Sequence, residues 1–297
     1  MWCMPFRNTP FIPTLSIYSE PAPAVALSVV LPCYKAADLA RKSVMRLTHA
    51  LAGRVPSYEI IVVDDGVGDC EPMLRDLPTG PGGQVHVITL PENRGKGGAV
   101  AAGMKSASGL VRVFTDIDIP YGTTPIMLVE SLIRSRGFHM VIGDRTFPQS
   151  RYETELSFGR RIASAVFSKI TATLVTGGFF DTQCGLKGFR GDVAEALFGL
   201  QTVERFAFDV ELIYLALTYG LEIKRIPVML ERNTTSSVRL GRDALQTLID
   251  VTRIKIHQLR GDYESTALRG LVARECSAAS SPLRTPVIAH AVLKVRA

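Results

Sequence analysis

The sequence predicts an α/β protein: a mostly parallel central sheet with helices on both faces. Three observations carry this. Apolar runs of strand length alternate with segments of helical spacing from residue 27 to 144. The runs are near-continuously apolar, as in strands buried on both faces. Polar residues gather just after them, where open α/β sheets bind ligands.

The elements follow in order. "LSVVLPC" (27–33) is a buried strand. "KAADLARKSVMRLTHAL" (35–51) is a helix, with Leu39, Val44, Leu47 and Leu51 on one side. "YEIIVVDD" (58–65) and "GQVHVITL" (83–90) are further strands. "GKGGAVAAGMKSA" (95–107) is a helix of small residues, and "LVRVFTD" (110–116) the fourth strand. "TPIMLVESLIRS" (124–135) is a helix with Pro125 in its first turn, and "FHMVIGD" (138–144) the fifth strand. After 150 the alternation loosens. "RRIASAVFSKITATLVT" (160–176) is amphipathic, with Ile162, Val166, Ile170 and Leu174 in one stripe. "FDVELIYLALTYG" (208–220) is an apolar helix closed by Gly220, "EIKRIPVML" (222–230) a strand, and 241–261 a basic helix.

Composition excludes several classes. The chain has 297 residues, 46% hydrophobic and 21% charged, which suits a large soluble core. Five scattered cysteines with no C-x-x-C argue against a disulfide framework and a structural zinc site, and for a reducing compartment. No eighteen-residue window is continuously apolar. The first 24 residues hold five prolines and no apolar signal core, and read as a flexible leader. The net charge of +6 is concentrated at the end: residues 224–297 carry 13 Lys+Arg against 6 Asp+Glu. That excess suits an anionic partner or a solvated tail, and a basic disordered tail is expected over 263–297.

"VFTDIDIP" places Asp116 and Asp118 at a strand end. If extended backbone continues, the two side chains share a face, about 6.6 Å apart. Such a pair suits a hard divalent cation; the alternative is two solvated turn aspartates. "NRGKGGAVAAG" fails G-x-G-x-x-G at Val100, and the chain has no P-loop motif, so Rossmann oxidoreductase and P-loop NTPase are disfavoured. Either the amides of this loop face a phosphate together with Arg94 and Lys96, or the loop is a tightly packed helix start. Asp64 and Asp65 either accept hydrogen bonds from a base or ribose, or close a local turn. Cys184, with no base nearby, reads as a packing thiol.

Taken together, "LSVVLPCYKAADL", "YEIIVVDDG", "NRGKGGAVAAGM", "TDID", "IGDR", "DTQCGLKGF" and "ERFAFDVELIYLA" resemble the GT-A glycosyltransferases of family 2 over residues 27–232. The branch most similar is the dolichyl-phosphate (polyprenyl-phosphate) β-glucosyltransferases, with the mannosylphosphodolichol synthases next. The resemblance implies an inverting hexosyltransferase using a nucleotide sugar such as UDP-glucose, with Mg²⁺ or Mn²⁺ at Asp116 and Asp118. It implies that Pro32, Tyr34 and Asp65 line the nucleotide pocket and that Asp116 meets the donor diphosphate; Asp64, Arg94 and Lys96 join the expected donor contacts from the reading of their own motifs. Asp118 and Arg145 would act on the reacting groups, and Arg160, Arg161, Arg232 and Ser237 on the acceptor phosphate.

Four positions depart from the family pattern. Lys35-Ala36 replaces Asn-Glu, Val67 replaces a serine, Pro120 stands where a third metal ligand often is, and Val238 replaces a lysine. Family members of the eukaryotic glucosyl branch carry an N-terminal anchor that this chain is expected to lack. A GT-A domain is thus expected over 25–262, cytoplasmic or peripheral on the cytoplasmic face of a membrane, with no nucleic-acid partner. The stripe at Ile162 to Leu174, beside Arg160, Arg161 and Lys169, is either a membrane-resting face or a buried one. A soluble acceptor, or nucleotide-sugar binding without catalysis, are the competing functions.

Overall fold

The computed structural model describes residues 25–147, 149–150, 181–205, 207–231 and 240–279. In chain order they form β1 (Leu27–Cys33), α1 (Ala37–Leu51), β2 (Tyr58–Asp64), α2 (Cys70–Leu74), β3 (Gly83–Thr89), α3 (Gly95–Ser106), β4 (Val111–Thr115) and α4 (Thr124–Arg136). There follow β5 (Met140–Asp144), β6 (Leu186–Arg190), α5 (Gly191–Leu200), α6 (Phe208–Thr218), β7 (Ile223–Pro227), α7 (Leu240–Arg260) and α8 (Thr266–Ala279).

The strands make one sheet in the order β3-β2-β1-β4-β6-β5-β7. Pairing is parallel except at β6, which runs antiparallel between β4 and β5. The predicted α/β class, mostly parallel and covered on both faces, is what forms. The sequence reading missed β6, treating "DTQCGLKGFR" as a motif without structure.

Alternate residues of each strand feed two cores. Val30, Ile61, Val63, Phe114 and Phe189 pack with α3, α5, α6, α7 and α8. Leu27, Val29, Leu31, Ile60 and Val62 pack on the other side with α1, α2 and α4. This is the period-two pattern of a sheet buried on both faces. The absence of a side chain at Gly103 lets helix α3 approach the sheet, since a Cβ there would overlap the Val30 side chain. Helix α4 carries Pro125 in its first turn, as its sequence predicts, and is capped by Gly137 in the left-handed region.

Two expectations are corrected. Helix α1 starts at Ala37, not Lys35, because Lys35 takes a φ of +53° and cannot join a right-handed helix. The disorder expected from 263 does not begin there. Tyr263, Leu268 and Leu271 are buried against the core, and α8 runs through what was expected to be solvated tail. The apolar spacing of "TALRGLVA" supplies that buried face. The leader at 1–24 and the stripe at 162–174 lie outside the described residues.

Candidate active site

The site is built where the parallel strands end. Residues following β1, β2, β4 and β5 share one edge of the sheet. Because β6 is antiparallel, its leading end reaches the same edge, with Leu186 paired to Thr115. The segment 181–185 therefore sits beside the acidic pair.

Strand β4 ends at Thr115, and the chain then turns rather than continuing extended. The Ile119 amide donates to the Asp116 carbonyl at 2.9 Å, and the Gly122 amide to the Ile119 carbonyl at 3.0 Å. The extended D-x-D geometry expected from the sequence is thus replaced by a turn. Ile119 holds a φ of +47°, costly for a β-branched residue (about 1–3 kcal/mol), and its side chain is buried. The other non-glycine residue with positive φ among those described is Lys35, at the end of β1. Both strained turns lie on the edge where the polar residues gather.

Asp116 is gripped on two sides. The Lys96 ammonium lies 2.5 Å from its Oδ1. Gly185 lies against its Oδ2, so close that a Cβ there would overlap the carboxylate. Burial pushes the Lys96 ammonium down, but Asp116 and Asp209 outweigh it and hold its pKa above the ordinary lysine value. Behind Lys96 lies a fully buried pair, Lys187 Nζ to Asp209 Oδ1 at 2.6 Å. Lys187 also donates to the Cys184 carbonyl at 2.7 Å and sits 5.5 Å from the centre of the Phe114 ring. Burial raises the Asp209 carboxyl above its ordinary value, although Lys187 and Lys96 pull it down. Acids and bases thus alternate along Asp116, Lys96, Asp209 and Lys187.

Arg145 follows β5, and Asp181 binds it with both oxygens. Nη2 donates to Oδ1 at 2.6 Å, Nε to Oδ2 at 2.9 Å, and the backbone amide to Oδ2 at 2.6 Å. Burial pushes the Asp181 carboxyl up, but the guanidinium outweighs it and holds the group below the ordinary carboxylate range. Asp144, one residue earlier, is paired with Arg225 and accepts from the Thr146 amide at 2.8 Å. Tyr121 is buried within the electrostatic reach of Cys184, Arg145 and Asp116. Its phenol is raised first by burial and then by Cys184. Burial likewise pushes the Cys184 thiol up to about 11, in keeping with a packing role.

The remaining predicted residues are placed as follows. Asp65 accepts from the amides of Arg94 at 2.7 Å and Gly95 at 2.9 Å. The Gly98 amide donates to the Glu204 carbonyl at 2.8 Å. A Cβ at Gly97 would crowd Phe208 and Arg205. The start of α3 is therefore a tightly packed one, and three of its amides are used by the chain itself. Arg94 pairs with Glu204 rather than pointing a free guanidinium outward. Asp64 turns both oxygens to the amides of Val67 (2.9 Å) and Cys70 (3.0 Å), closing the local turn instead of facing a ligand. Pro32 is the second-to-last residue of β1, and Tyr34, just past the strand, is half exposed. Asp118, two residues after Asp116 on the same turn, is half-buried. Arg160, Arg161, Arg232 and Ser237 lie outside the described residues.

Sequence reasoning missed Asp181, Lys187 and Asp209. Each lies inside a quoted motif, "DTQCGLKGF" or "ERFAFDVEL", but their partners are distant in the chain. The signal available was a lysine in an otherwise apolar strand and an aspartate in an otherwise apolar helix, which demand each other when buried.

Two carboxylates on one turn are hard oxygen ligands suited to a divalent cation. The ammonium on Asp116 marks a position that already holds positive charge. Asp116 and Asp118 would be the residues to hold such a cation.

The chain is 29% identical over 270 residues to a dolichyl-phosphate beta-glucosyltransferase of Dictyostelium discoideum, covering 85% of this chain and 80% of that protein. It is 34% identical over 221 residues to a dolichyl-phosphate beta-glucosyltransferase of Drosophila melanogaster, covering 70% and 68%. A solved structure of glucosyl-3-phosphoglycerate synthase from Mycobacterium tuberculosis with Mn²⁺, UDP-glucose and phosphoglyceric acid superposes with a TM-score of 0.57 at 20% identity. That match covers 77% of this chain and 79% of the synthase. It shares the fold, which is GT-A. The family model described as "Glycosyl transferase family 2" matches residues 28–198, more than half of the sequence. The chain belongs to glycosyl transferase family 2 and is a glycosyltransferase of GT-A fold.

Proposed function

We propose that this glycosyltransferase moves glucose from UDP-glucose to dolichyl or another polyprenyl phosphate, with inversion, at the cytoplasmic surface of a membrane. The names of the relatives support the sugar and the acceptor. The solved neighbour with UDP-glucose and Mn²⁺ supports the donor. The observation that carries the reading is the Asp116 turn, locked between the start of α3 and the segment before β6.

In this reading Asp116 and Asp118 would hold Mg²⁺ or Mn²⁺, which would supply positive charge to balance the departing diphosphate. Tyr34 and Pro32 receive the base, with Asp65 fixing the start of α3 beside them. Lys96 trades its contact with Asp116 for a donor phosphate oxygen. The acceptor phosphate is ionised at neutral pH, so it needs placement and charge balance rather than a general base. Arg145, aimed by Asp181, provides one such charge, and Arg160, Arg161, Arg232 and Ser237 are assigned the rest. An acceptor oxygen attacks the anomeric carbon as the bond to UDP breaks, which inverts the configuration. Among the described residues no helix is long and apolar enough to cross a membrane.

The test is incubation with UDP-[¹⁴C]glucose, Mn²⁺ and dolichyl phosphate. Label in the organic phase, lost in Asp118→Ala, supports the proposal. Label confined to the aqueous phase with phosphorylated small acceptors selects a soluble acceptor instead.

A further inference from the structure

We infer that Glu231 is a positioning residue for the donor site: paired with Arg46, it clasps the far end of the acidic turn after β4 and so fixes Asp116 and Asp118. This role rests on the donor function proposed for those two aspartates.

Three contacts make the clasp. Glu231 lies four residues beyond β7, and its amide donates to the Pro120 carbonyl at 2.8 Å. Its carboxylate lies against Gly122, where a Cβ would overlap it. Gly122 also holds a φ of +76°, so the backbone and the close approach both require glycine there. Glu231 Oε2 then pairs with the Arg46 guanidinium, which α1 presents. Arg46 and Glu231 are 185 residues apart, so the fold alone brings them together.

The turn needs such an anchor. After β4 it is shaped by two short-range bonds, from the Ile119 amide to the Asp116 carbonyl and from the Gly122 amide to the Ile119 carbonyl. Asp118 directly precedes Ile119, whose φ of +47° persists only where the surroundings over-determine it. At its start the turn is gripped through Asp116 by Lys96 and Gly185. At its end Glu231 grips Pro120 and Gly122, and Asp118 and Ile119 lie between the two grips. The side chains of Arg46 and Glu231 are 33% and 46% exposed, and an ion pair so open to water adds little to the stability of the whole protein. Its seat on the turn that carries Asp116 and Asp118 gives it a local effect instead. Arg232 follows Glu231 in the chain, so the clasp also ties this turn to the segment proposed to meet the acceptor phosphate.

The test compares wild-type protein with Glu231→Ala, Glu231→Gln and Arg46→Met, by calorimetric titration of UDP in Mn²⁺ and in chelator. Glu231→Ala is expected to weaken UDP binding in Mn²⁺ by about tenfold, as loss of an outer partner of a metal ligand does. Binding in chelator keeps its wild-type value, a split that general damage to the fold would not give. Glu231→Gln and Arg46→Met show the same split in smaller measure. Arg46→Met/Glu231→Ala is no weaker than Glu231→Ala, because both changes break one contact. Hydrogen exchange in metal-free protein reads the clasp directly. The Ile119 and Gly122 amides exchange faster in Glu231→Ala, while those of β1 and β2 do not. Unchanged exchange at both turn amides in folded Glu231→Ala, or UDP binding that falls equally in Mn²⁺ and in chelator, overturns the inference. Wild-type protein without any Mn²⁺-dependent UDP binding would instead contradict the proposed function, and the exchange comparison, made without metal or donor, still decides the clasp.

Discussion

The Lys96 ammonium lies against the Asp116 carboxylate at 2.5 Å, at the point where the acidic turn after β4 meets the start of α3. Lys96 thus occupies the carboxylate that a divalent cation would use, and Asp209 behind it offers a second anion. Metal and ammonium compete for one oxygen. Lys96→Met is predicted to tighten Mn²⁺ binding to the free protein by about fivefold, since a partly exposed pair is worth ~1 kcal/mol. The same variant is predicted to slow transfer, because the donor phosphate loses its cation. Calorimetric titration with Mn²⁺ alone checks the first half. Unchanged or weaker Mn²⁺ binding refutes the competition.

Gly185 should tolerate no side chain. A Cβ there overlaps Asp116 Oδ2, and the strand that follows at β6 is buried, so the carboxylate must yield. Gly185→Ala is predicted to cut Mn²⁺ affinity and transfer together while circular dichroism stays native. Full activity in this variant would show that the position of Asp116 is not needed.

The Lys187–Asp209 pair lies wholly inside the protein. Removing one charge strands the other, a cost of about 3–5 kcal/mol, whereas replacing both with apolar residues is far milder. Lys187→Met should therefore unfold at much lower denaturant than the double variant Lys187→Met/Asp209→Leu. Equal midpoints would mean the pair is not coupled.

Asp181 supplies an acid-sensitive part of the stability. Its carboxyl is held below the ordinary value by Arg145, so folding favours the anion. The contribution is complete above the unfolded carboxylate value of about 3.9 and is lost as pH falls through the lower folded value. Asp181→Asn is predicted to lose about 2 kcal/mol near neutrality, with the gap to wild type closing in acid. Melting curves at a series of pH values test this. A gap that widens in acid contradicts it.

Much of this was legible in the sequence. The runs at β1, β2, β4 and β5 are apolar enough to announce themselves, because parallel strands are buried on both faces. β6 was not legible, since "LKGFR" holds a lysine and a glycine. The lysine is acceptable only because Asp209 arrives from α6, and the glycine because α4 packs onto it through Val129. Spacing read Asp116 and Asp118 on extended backbone, whereas the chain turns there, because a positive φ at Ile119 has no residue-type signal. The tight packing at "NRGKGG" comes from Glu204, Arg205 and Phe208, which no local pattern reveals. The tail failed for a similar reason. A basic composition hid the buried face at Leu268 and Leu271, which forms only when the core of α5 and α6 is there to receive it.

The central claim is that the acidic turn binds the donor through a divalent ion, and UDP binding measures it most directly. Titrate UDP into wild-type protein, Asp116→Ala and Asp118→Ala, each with Mn²⁺ and with chelator. The prediction is strong Mn²⁺-dependent binding in the wild type and equal, weak binding in both variants whether or not Mn²⁺ is present. Binding that keeps its full Mn²⁺ dependence when either aspartate is gone would contradict the claim.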